Sequence, residues 1–268
     1  MVQGWDGSQW SDVPDDGFDG SVFSDVPVKG FDGQQFVRLD TSIPDSVVNQ
    51  YPFSTFGPST WTDNVGSADM SVSGLTTDTF SNGEDSVLGD GTGDYGQSSA
   101  DIIGNKETFG FAMTWQASSL STSDNVVYHG IRETVSTGNF SYIDNNSNGG
   151  TIRLLLRDDN GNSTQVGTDN QYDDGNPHSI IINKSSDSPS DWDFYIDDMS
   201  TTVSTSILAD QGFSSSDFAG SLDPAFFAAN SDGTIETHAN IDIGIFEINN
   251  EPYTQTERED FVSRRPEM

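Results

Sequence analysis

Cysteine is absent from the 268 residues, so disulfide bonds, iron–sulfur ligation and thiol catalysis are excluded. The chain also lacks any apolar run near the roughly 20 residues that span a bilayer. Its N-terminus, MVQGWDGSQW, has neither the basic start nor the apolar stretch of an export signal. We therefore expect a protein that is made in the cytoplasm without a signal peptide and does not insert into membranes.

Basic residues are scarce: ten Lys and Arg stand against 43 Asp and Glu, which gives a formal net charge of −33. Nucleic-acid binding draws its affinity from Lys and Arg, so DNA and RNA are excluded as direct ligands. In dilute buffer the acidic side chains would repel one another. In about 1 M salt the Debye length is about 3 Å, and this repulsion is largely screened. The acidic residues are spread among aromatic and aliphatic ones, which argues against a disordered acidic tail. The composition predicts a high-salt habitat such as that of a haloarchaeon, with a calcium-loaded surface protein as the alternative.

Recognisable catalytic motifs are missing as well. There is no Gly-x-Ser-x-Gly elbow, and the glycine-rich stretch 89–96 lacks the Gly-Lys-Ser/Thr ending of a phosphate loop. His129, His178 and His238 are too scattered to predict a metal or nucleophile site. The acidic loop that begins at Asp158 departs from EF-hand spacing. We predict a protein that is not an enzyme, with no catalytic residue, cofactor or metal site assigned and a calcium requirement left open.

The stretch 172–198, YDDGNPHSIIINKSSDSPSDWDFYIDD, contains two β-rich runs. Residues 178–182 bring three isoleucines together, and residues 192–196 alternate large and polar side chains. Residues 185–191 between them are polar and must turn. A strand, a turn and a second strand are predicted.

The residues around these strands resemble the centre of the laminin-G-like, or concanavalin A-like, lectin domain. Asp174-Gly175 and His178 stand where that family has an acidic-Gly turn and a histidine opening one strand, and residues 195–197 stand where Tyr-Val-Asp closes the next. Pro177 and Asp198 replace the Trp and Gly that are usual there. We interpret His178 as a strand-start or core histidine rather than a ligand.

Further matches to this family flank the centre in the expected order. They are an Asp-x-x-Gly entry at 63–66, an alternating strand at 109–115, a closing strand at 239–248, and a capping box at 254–257 that opens a helix to about Arg264. The resemblance implies an all-β, concanavalin A-like jelly-roll sandwich over residues 60–268. The segment before it, 41–59, contains prolines at 44, 52 and 58 and is predicted to be a linker or an extended first segment of the domain. Glycoside hydrolases of this fold carry Glu-x-Asp-x-x-Glu on one strand, and that triplet is absent here.

The first forty residues form an arm with an internal repeat. Units that start at residues 4, 17 and 30 each read Gly, aromatic, Asp-Gly, two residues, aromatic, and the two intervening residues are polar except for Val22. Asp-Gly predicts a tight hairpin turn. Three short hairpins cannot bury their aromatic faces alone, so the arm (1–40) is expected to anchor or oligomerise the protein. Similar repeats occur in tail and fibre proteins of tailed viruses; padding of one side of the lectin-like domain is the alternative. The predicted anchoring residues are Trp5, Trp10, Phe18, Phe23, Phe31 and Phe36.

These features together predict a virion structural protein of a haloarchaeal virus, such as a tail fibre, spike, turret or capsid decoration. It would be a homo-oligomer on the virion surface, attached to other virion proteins by the arm and contacting host glycans or glycoproteins. An architectural protein without a ligand and a halophilic polysaccharide-degrading enzyme are the alternatives. No glycan site is assigned, although four aromatic residues are candidates for sugar stacking: Trp192, Tyr172, Tyr128 and Tyr142.

Overall fold

The computed structural model describes residues 3–5, 10–12, 29–31, 36–38, 43–99, 103–117, 120, 127–132, 138–145, 150–219, 222–231, 233–236 and 239–264. The chain divides into two compact units, Met1–Ser42 and Ile43–Met268. Within the described residues, no helix has both the length and the apolar character needed to cross a bilayer.

The first unit contains two antiparallel hairpins. Strand β1 (Gln3–Trp5) pairs with β2 (Trp10–Asp12), and β3 (Lys29–Phe31) pairs with β4 (Phe36–Arg38). Trp5 lies opposite Trp10, and Phe31 lies opposite Phe36. These hairpins correspond to the first and third sequence repeats. The second repeat, with Phe18 and Phe23, lies outside the described residues, and the anchoring role of all six aromatic residues stays a prediction.

The second unit is built from short strands and ends in a helix, α1 (Gln255–Arg264). Its strands, in chain order, are β5 (Val47–Pro52), β6 (Thr60–Trp61), β7 (Met70–Ser73), β8 (Thr76–Thr79), β9 (Asp85–Asp90), β10 (Tyr95–Gln97), β11 (Phe109–Gln116), β12 (Val127–Arg132), β13 (Phe140–Asp144), β14 (Arg153–Arg157), β15 (Ser163–Thr168), β16 (His178–Lys184), β17 (Trp192–Ile196), β18 (Thr205–Asp210), β19 (Ala225–Phe226), β20 (Ala229–Ser231), β21 (Thr234–Glu236) and β22 (Asn240–Asn249).

Two sheets form a sandwich. The seven-stranded sheet has the order β17-β16-β11-β22-β9-β8, with β5 also paired to β22. The eleven-stranded sheet has the order β18-β15-β14-β13-β12-β19-β10-β7-β6, with β20 and β21 attached beside β12. Pairing is antiparallel except between β12 and β20. The predicted all-β sandwich is therefore confirmed.

The main core lies between the two sheets. Strand β11 places Phe109, Phe111, Met113 and Trp115 in this core, whereas Ala112 packs in a separate cluster on the other face of the sheet. This is the period of two that the sequence pattern predicted. Strand β16 divides its isoleucines in the same way, and β17 turns its aromatic Trp192 and Phe194 inward.

Helix α1 covers the outer face of the seven-stranded sheet. The predicted capping box is present, since Thr254 N donates to Glu257 Oε2 at 2.7 Å and Glu257 N donates to Thr254 Oγ1 at 3.4 Å. Phe261 is fully buried and Val262 is partly buried against the same cluster. The helix is therefore held against the sheet by these two apolar side chains.

A buried ion pair fixes the end of α1. Arg264 donates to both carboxylate oxygens of Glu247, at 2.6 and 3.1 Å, and both side chains are almost fully buried. Gln50 and Tyr253 donate to the same carboxylate. Because the charges and lone pairs are satisfied by hydrogen bonds, the desolvation cost of this pair is offset.

The sequence predicts a linker or an extended first segment over residues 41–59, and the structure shows the second over part of that range. Residues 47–52 of that segment form the buried strand β5, which pairs with β22. The prolines that suggested a linker do not interrupt the strand, because Pro44 precedes it and Pro52 is its last residue.

Candidate functional site

The two ends of the β16–β17 hairpin contain the candidate functional groups of the sandwich. The first end contains the residues of the family resemblance. His178 Nδ1 lies 2.8 Å from Asp197 Oδ2, and His178 Nε2 lies 3.1 Å from Asp174 Oδ1. Asp197 has a φ of 60° and accepts the Ser179 amide on its other oxygen at 3.0 Å. We call this arrangement the histidine clamp.

The clamp uses both ring nitrogens of His178. Burial lowers the pKa of His178, but Asp197 and then Asp174 outweigh burial, so this pKa lies above its ordinary value of 6.5. The Asn176 amide is the main cause of the lowered pKa of Asp174. With both nitrogens bonded to carboxylates, His178 has no lone pair for a metal or substrate proton. The structure thus places His178 as a strand-start residue that ties two loops together.

The other histidines form no site with His178. His129 lies in the core between the rings of Phe111 and Phe226, and burial lowers its pKa to about 3. His238 lies outside the described residues. Among the described residues, no group of three or more His, Asp or Glu side chains is arranged to hold a metal ion.

One carboxyl group has a strongly raised pKa. Burial raises the pKa of Asp242 to about 6, the charge of Asp78 adds to the rise, and Ser86 Oγ donates to it at 2.9 Å. A cavity of about 10 Å³ in the adjoining part of the sheet, lined by Thr114 and Gly244, is too small for a sugar ring.

The second end of the hairpin opens into a groove of about 220 Å³, which we call the edge groove. It lies where β17, the edge of the seven-stranded sheet, faces β18, the edge of the eleven-stranded sheet. Trp192, Phe194 and Val166 form an apolar floor that continues the core. Pro189 and Ile207 are its apolar rim, and Ile207 is 54% exposed.

Hydrogen bonds hold both walls of the edge groove. On one side, Lys184 is buried and donates to the carbonyls of Lys106 and Glu107 and to Asp187 Oδ1, at 2.6 to 2.8 Å. This anchors the loop 185–191, and Trp192 Nε1 donates to Ser186 O at 2.9 Å. On the other side, Asp169 accepts the hydroxyls of Ser204 and Ser206 at the start of β18.

The polar rim of the edge groove is available to a ligand. Thr202 is exposed and Thr205 is half-exposed. In the part of the chain that the structure describes, these two side chains make no hydrogen bond to protein. Asp193 also borders the groove, but it pairs with Asn183 and alternates with Trp192 and Phe194, so its side chain belongs to the outer face of the sheet with Tyr195. Two hydroxyls above an apolar floor can accept and donate hydrogen bonds while an apolar ligand face packs beneath them.

The four aromatic candidates from the sequence are scattered. Trp192 lines the edge groove but is 3% exposed, and Tyr128 is buried in the core beside Trp115. Tyr172 is half-buried edge-on against His178, and Tyr142 is nearly buried and stacked on Phe140. Trp192, Tyr128 and Tyr142 are thus too buried to offer an open ring face. Sequence reasoning missed Thr202 and Thr205, because no motif or periodicity marks residues that line a groove formed only where two sheet edges meet.

The sequence matches no protein-family model and no curated protein. Among solved structures, the binding domain of Paraclostridial Mosquitocidal Protein 1 matches with a TM-score of 0.57 at 12% identity, over 83% of this chain and 53% of that one. The ligand binding domain of botulinum neurotoxin serotype D, solved in complex with N-acetylneuraminic acid, matches with a TM-score of 0.53 at 13% identity, over 83% and 51%. The chain thus spans about half the length of these structures, and the likeness establishes a shared β-sandwich fold.

Proposed function

We propose that the protein is a non-catalytic binding module that engages a carbohydrate or glycoprotein through the edge groove. The observation that carries this proposal is the pair of hydroxyls, Thr202 and Thr205, that make no hydrogen bond to the described part of the chain and lie above an apolar floor. The fold supports it, because the similar solved structures are named as receptor-binding or ligand-binding domains. The protein would work at high salt, where its −33 charge is screened.

We further propose that the module is displayed on the virion surface of a haloarchaeal virus, as a tail fibre, spike, turret or capsid decoration. The hairpins of the first unit would join copies of the chain and attach them to other virion proteins. The charge balance and the aromatic-Asp-Gly repeats support this assignment. Replacing Trp5, Trp10, Phe31 and Phe36 by Ser in the full chain should convert an oligomer to a monomer in about 2 M salt, as measured by light scattering.

The binding role is tested by a glycan array in about 2 M KCl with the intact protein and two matched double variants. Thr202→Val with Thr205→Val removes both rim hydroxyls and should abolish binding. Thr76→Val with Thr79→Val makes the same change on β8, an exposed edge strand at the far side of the seven-stranded sheet, and should leave binding unchanged. An array that stays blank with the intact protein would favour the architectural alternative, and cleavage of a glycan would favour the enzyme.

A further inference from the structure

The β1–β2 hairpin of the arm combines an aromatic pair with an acidic residue on one face. Trp5 lies opposite Trp10, and Gln3 lies opposite Asp12. Residues that are two apart on a strand belong to the same face, and so do residues that lie directly opposite each other. Both pairs therefore belong to one face of the hairpin, and the glycine and serine of the middle pair belong to the other face. We call this hairpin the acidic hairpin.

The β3–β4 hairpin repeats this arrangement with the opposite charge, and we call it the basic hairpin. Phe31 lies opposite Phe36, and Lys29 lies opposite Arg38 on the same face. Lys29 and Arg38 are the only basic residues among the first forty, and the register sets them side by side. Like charges directly opposite each other destabilise an antiparallel pair. The basic hairpin is therefore stabilised if a carboxylate from elsewhere meets the two cations.

Neither hairpin is expected to be stable alone, because an isolated two-stranded hairpin is at best marginally stable in water. Stacking an acidic hairpin on a basic one, with the strand ends aligned, packs the aromatic pairs together and brings Asp12 toward Lys29 and Arg38. Stacking two hairpins of the same kind would collect charges of one sign, so the charges favour the mixed stack. High salt screens partly buried charge pairs much less than exposed ones, and the preference persists at contact.

We propose that the acidic hairpin of one copy of the chain packs on the basic hairpin of a second copy. This inference rests on the proposed role of the arm in joining copies, and it names the contact that joins them. In a two-fold dimer each copy supplies one hairpin of each kind, so the same contact forms twice and both described aromatic faces are covered. A contact between the two hairpins of one chain would use the same faces and leave them unable to join copies.

The test compares two variants of the full chain by light scattering in about 2 M KCl, each alone and then mixed. The first variant carries Lys29→Asp with Arg38→Asp, and the second carries Asp12→Lys. In each variant both hairpins have charges of the same sign, so the dissociation constant for self-association should rise at least about tenfold above that of the parent protein. The equal mixture should associate as the parent does, because each hairpin again meets one of opposite sign.

The matched control is Lys106→Asp with Thr76→Asp and Thr79→Asp, which makes the same change in net charge on the sandwich as the first variant makes on the arm. This control should associate as the parent does. Its dissociation together with the first variant would assign the effect to total charge and overturn the proposed contact.

The remaining outcomes separate this contact from the anchoring role of the arm. Charge variants that associate as the parent does, while replacement of the aromatic pairs by Ser gives a monomer, would overturn the charge pairing and leave the anchoring role standing. A mixture that stays dissociated would overturn the pairing between copies. An intact protein that is itself a monomer would overturn the anchoring role, and this inference with it.

Discussion

The two ends of one hairpin have opposite character. At the histidine clamp, both ring nitrogens of His178 and both oxygens of Asp197 are bonded within the protein. At the edge groove, the side chains of Thr202 and Thr205 make no hydrogen bond to the described part of the chain. The residues that form a recognisable sequence motif are used to build the fold, and the residues available to a ligand belong to no motif.

This difference has a physical basis. A clamp between two loops needs particular groups at fixed places, because an unpaired buried partner is costly. A groove rim needs only small polar side chains that point to solvent, and many residue types satisfy that need. Resemblance to a fold family therefore identifies the clamp more readily than the groove.

The largest expected effect concerns Lys184, which anchors the groove end of the hairpin. Lys184→Met leaves two carbonyls and Asp187 without their ammonium partner, and should reduce the free energy of unfolding by about 3 kcal/mol. Glycan binding should also weaken, because the loop that carries Pro189 and Ser190 loses its anchor. Chemical denaturation in about 2 M KCl measures the first effect.

The control for this prediction is Lys106→Met. Lys106 is a partly exposed lysine that donates to Asn250, and its replacement should cost less than about 1 kcal/mol. Equal losses in the two variants would contradict the view that the buried ammonium group holds the groove wall.

A second histidine, buried in the core, sharpens the contrast with His178. His129 is 1% exposed, and neither of its ring nitrogens has a hydrogen-bond partner among the described residues. Its pKa falls from 6.5 to about 3, so it is neutral in the folded protein. As the pH falls below about 6.5, the imidazole is protonated in the unfolded chain but stays neutral in the folded protein. The free energy of unfolding therefore falls by roughly 1.4 kcal/mol per pH unit.

Replacement of His129 by Leu removes this proton uptake. The variant should exceed the parent protein in stability by roughly 2 kcal/mol at pH 5, and by less than about 1 kcal/mol at pH 8, where the imidazole is neutral in both states. Melting temperatures across this range in high salt measure the difference. A difference that does not grow toward acid pH would contradict a buried neutral imidazole.

Much of the fold was predictable because its signals are local. The alternation of residues 109–115, the β16–β17 hairpin and the capping box of Thr254 and Glu257 each lie within a short window. Strand β5 was not predictable in this way, since its partner β22 is nearly 200 residues away and its own sequence carries turn-forming prolines at both ends. The edge groove joins Val166, Trp192 and Thr205 from three separate strands, so only the folded topology brings them together.

The clamp itself is tested by two replacements of Asp197. Asp197→Ala removes the acceptor of the buried Ser179 amide and the partner of His178, and places a Cβ-bearing residue without a local hydrogen bond at a φ of 60°. The free energy of unfolding should fall by about 1.5 kcal/mol. The fall is no larger because solvent partly screens the exposed carboxylate. Asp197→Asn keeps an acceptor and tolerates positive φ, so it should lose about half as much. Glycan affinity should be unchanged in both variants, and a fall in affinity at equal folded fraction would show that the clamp and the groove are coupled.

The smallest effect is the pH dependence of the clamp. The folded pKa of His178 lies above its unfolded value, so its stabilisation is complete below about 6.5 and is lost as the pH rises through the folded pKa. His178→Gln keeps a polar side chain but cannot be charged. It should lower the free energy of unfolding by about 1 kcal/mol at pH 5.5 and by less at pH 9. The parent protein and the variant share His129, so subtracting their melting curves isolates the clamp from the core. A difference that stays constant from pH 5.5 to pH 9 would mean that the clamp acts through neutral hydrogen bonds, and that its two carboxylates do not need a charged partner.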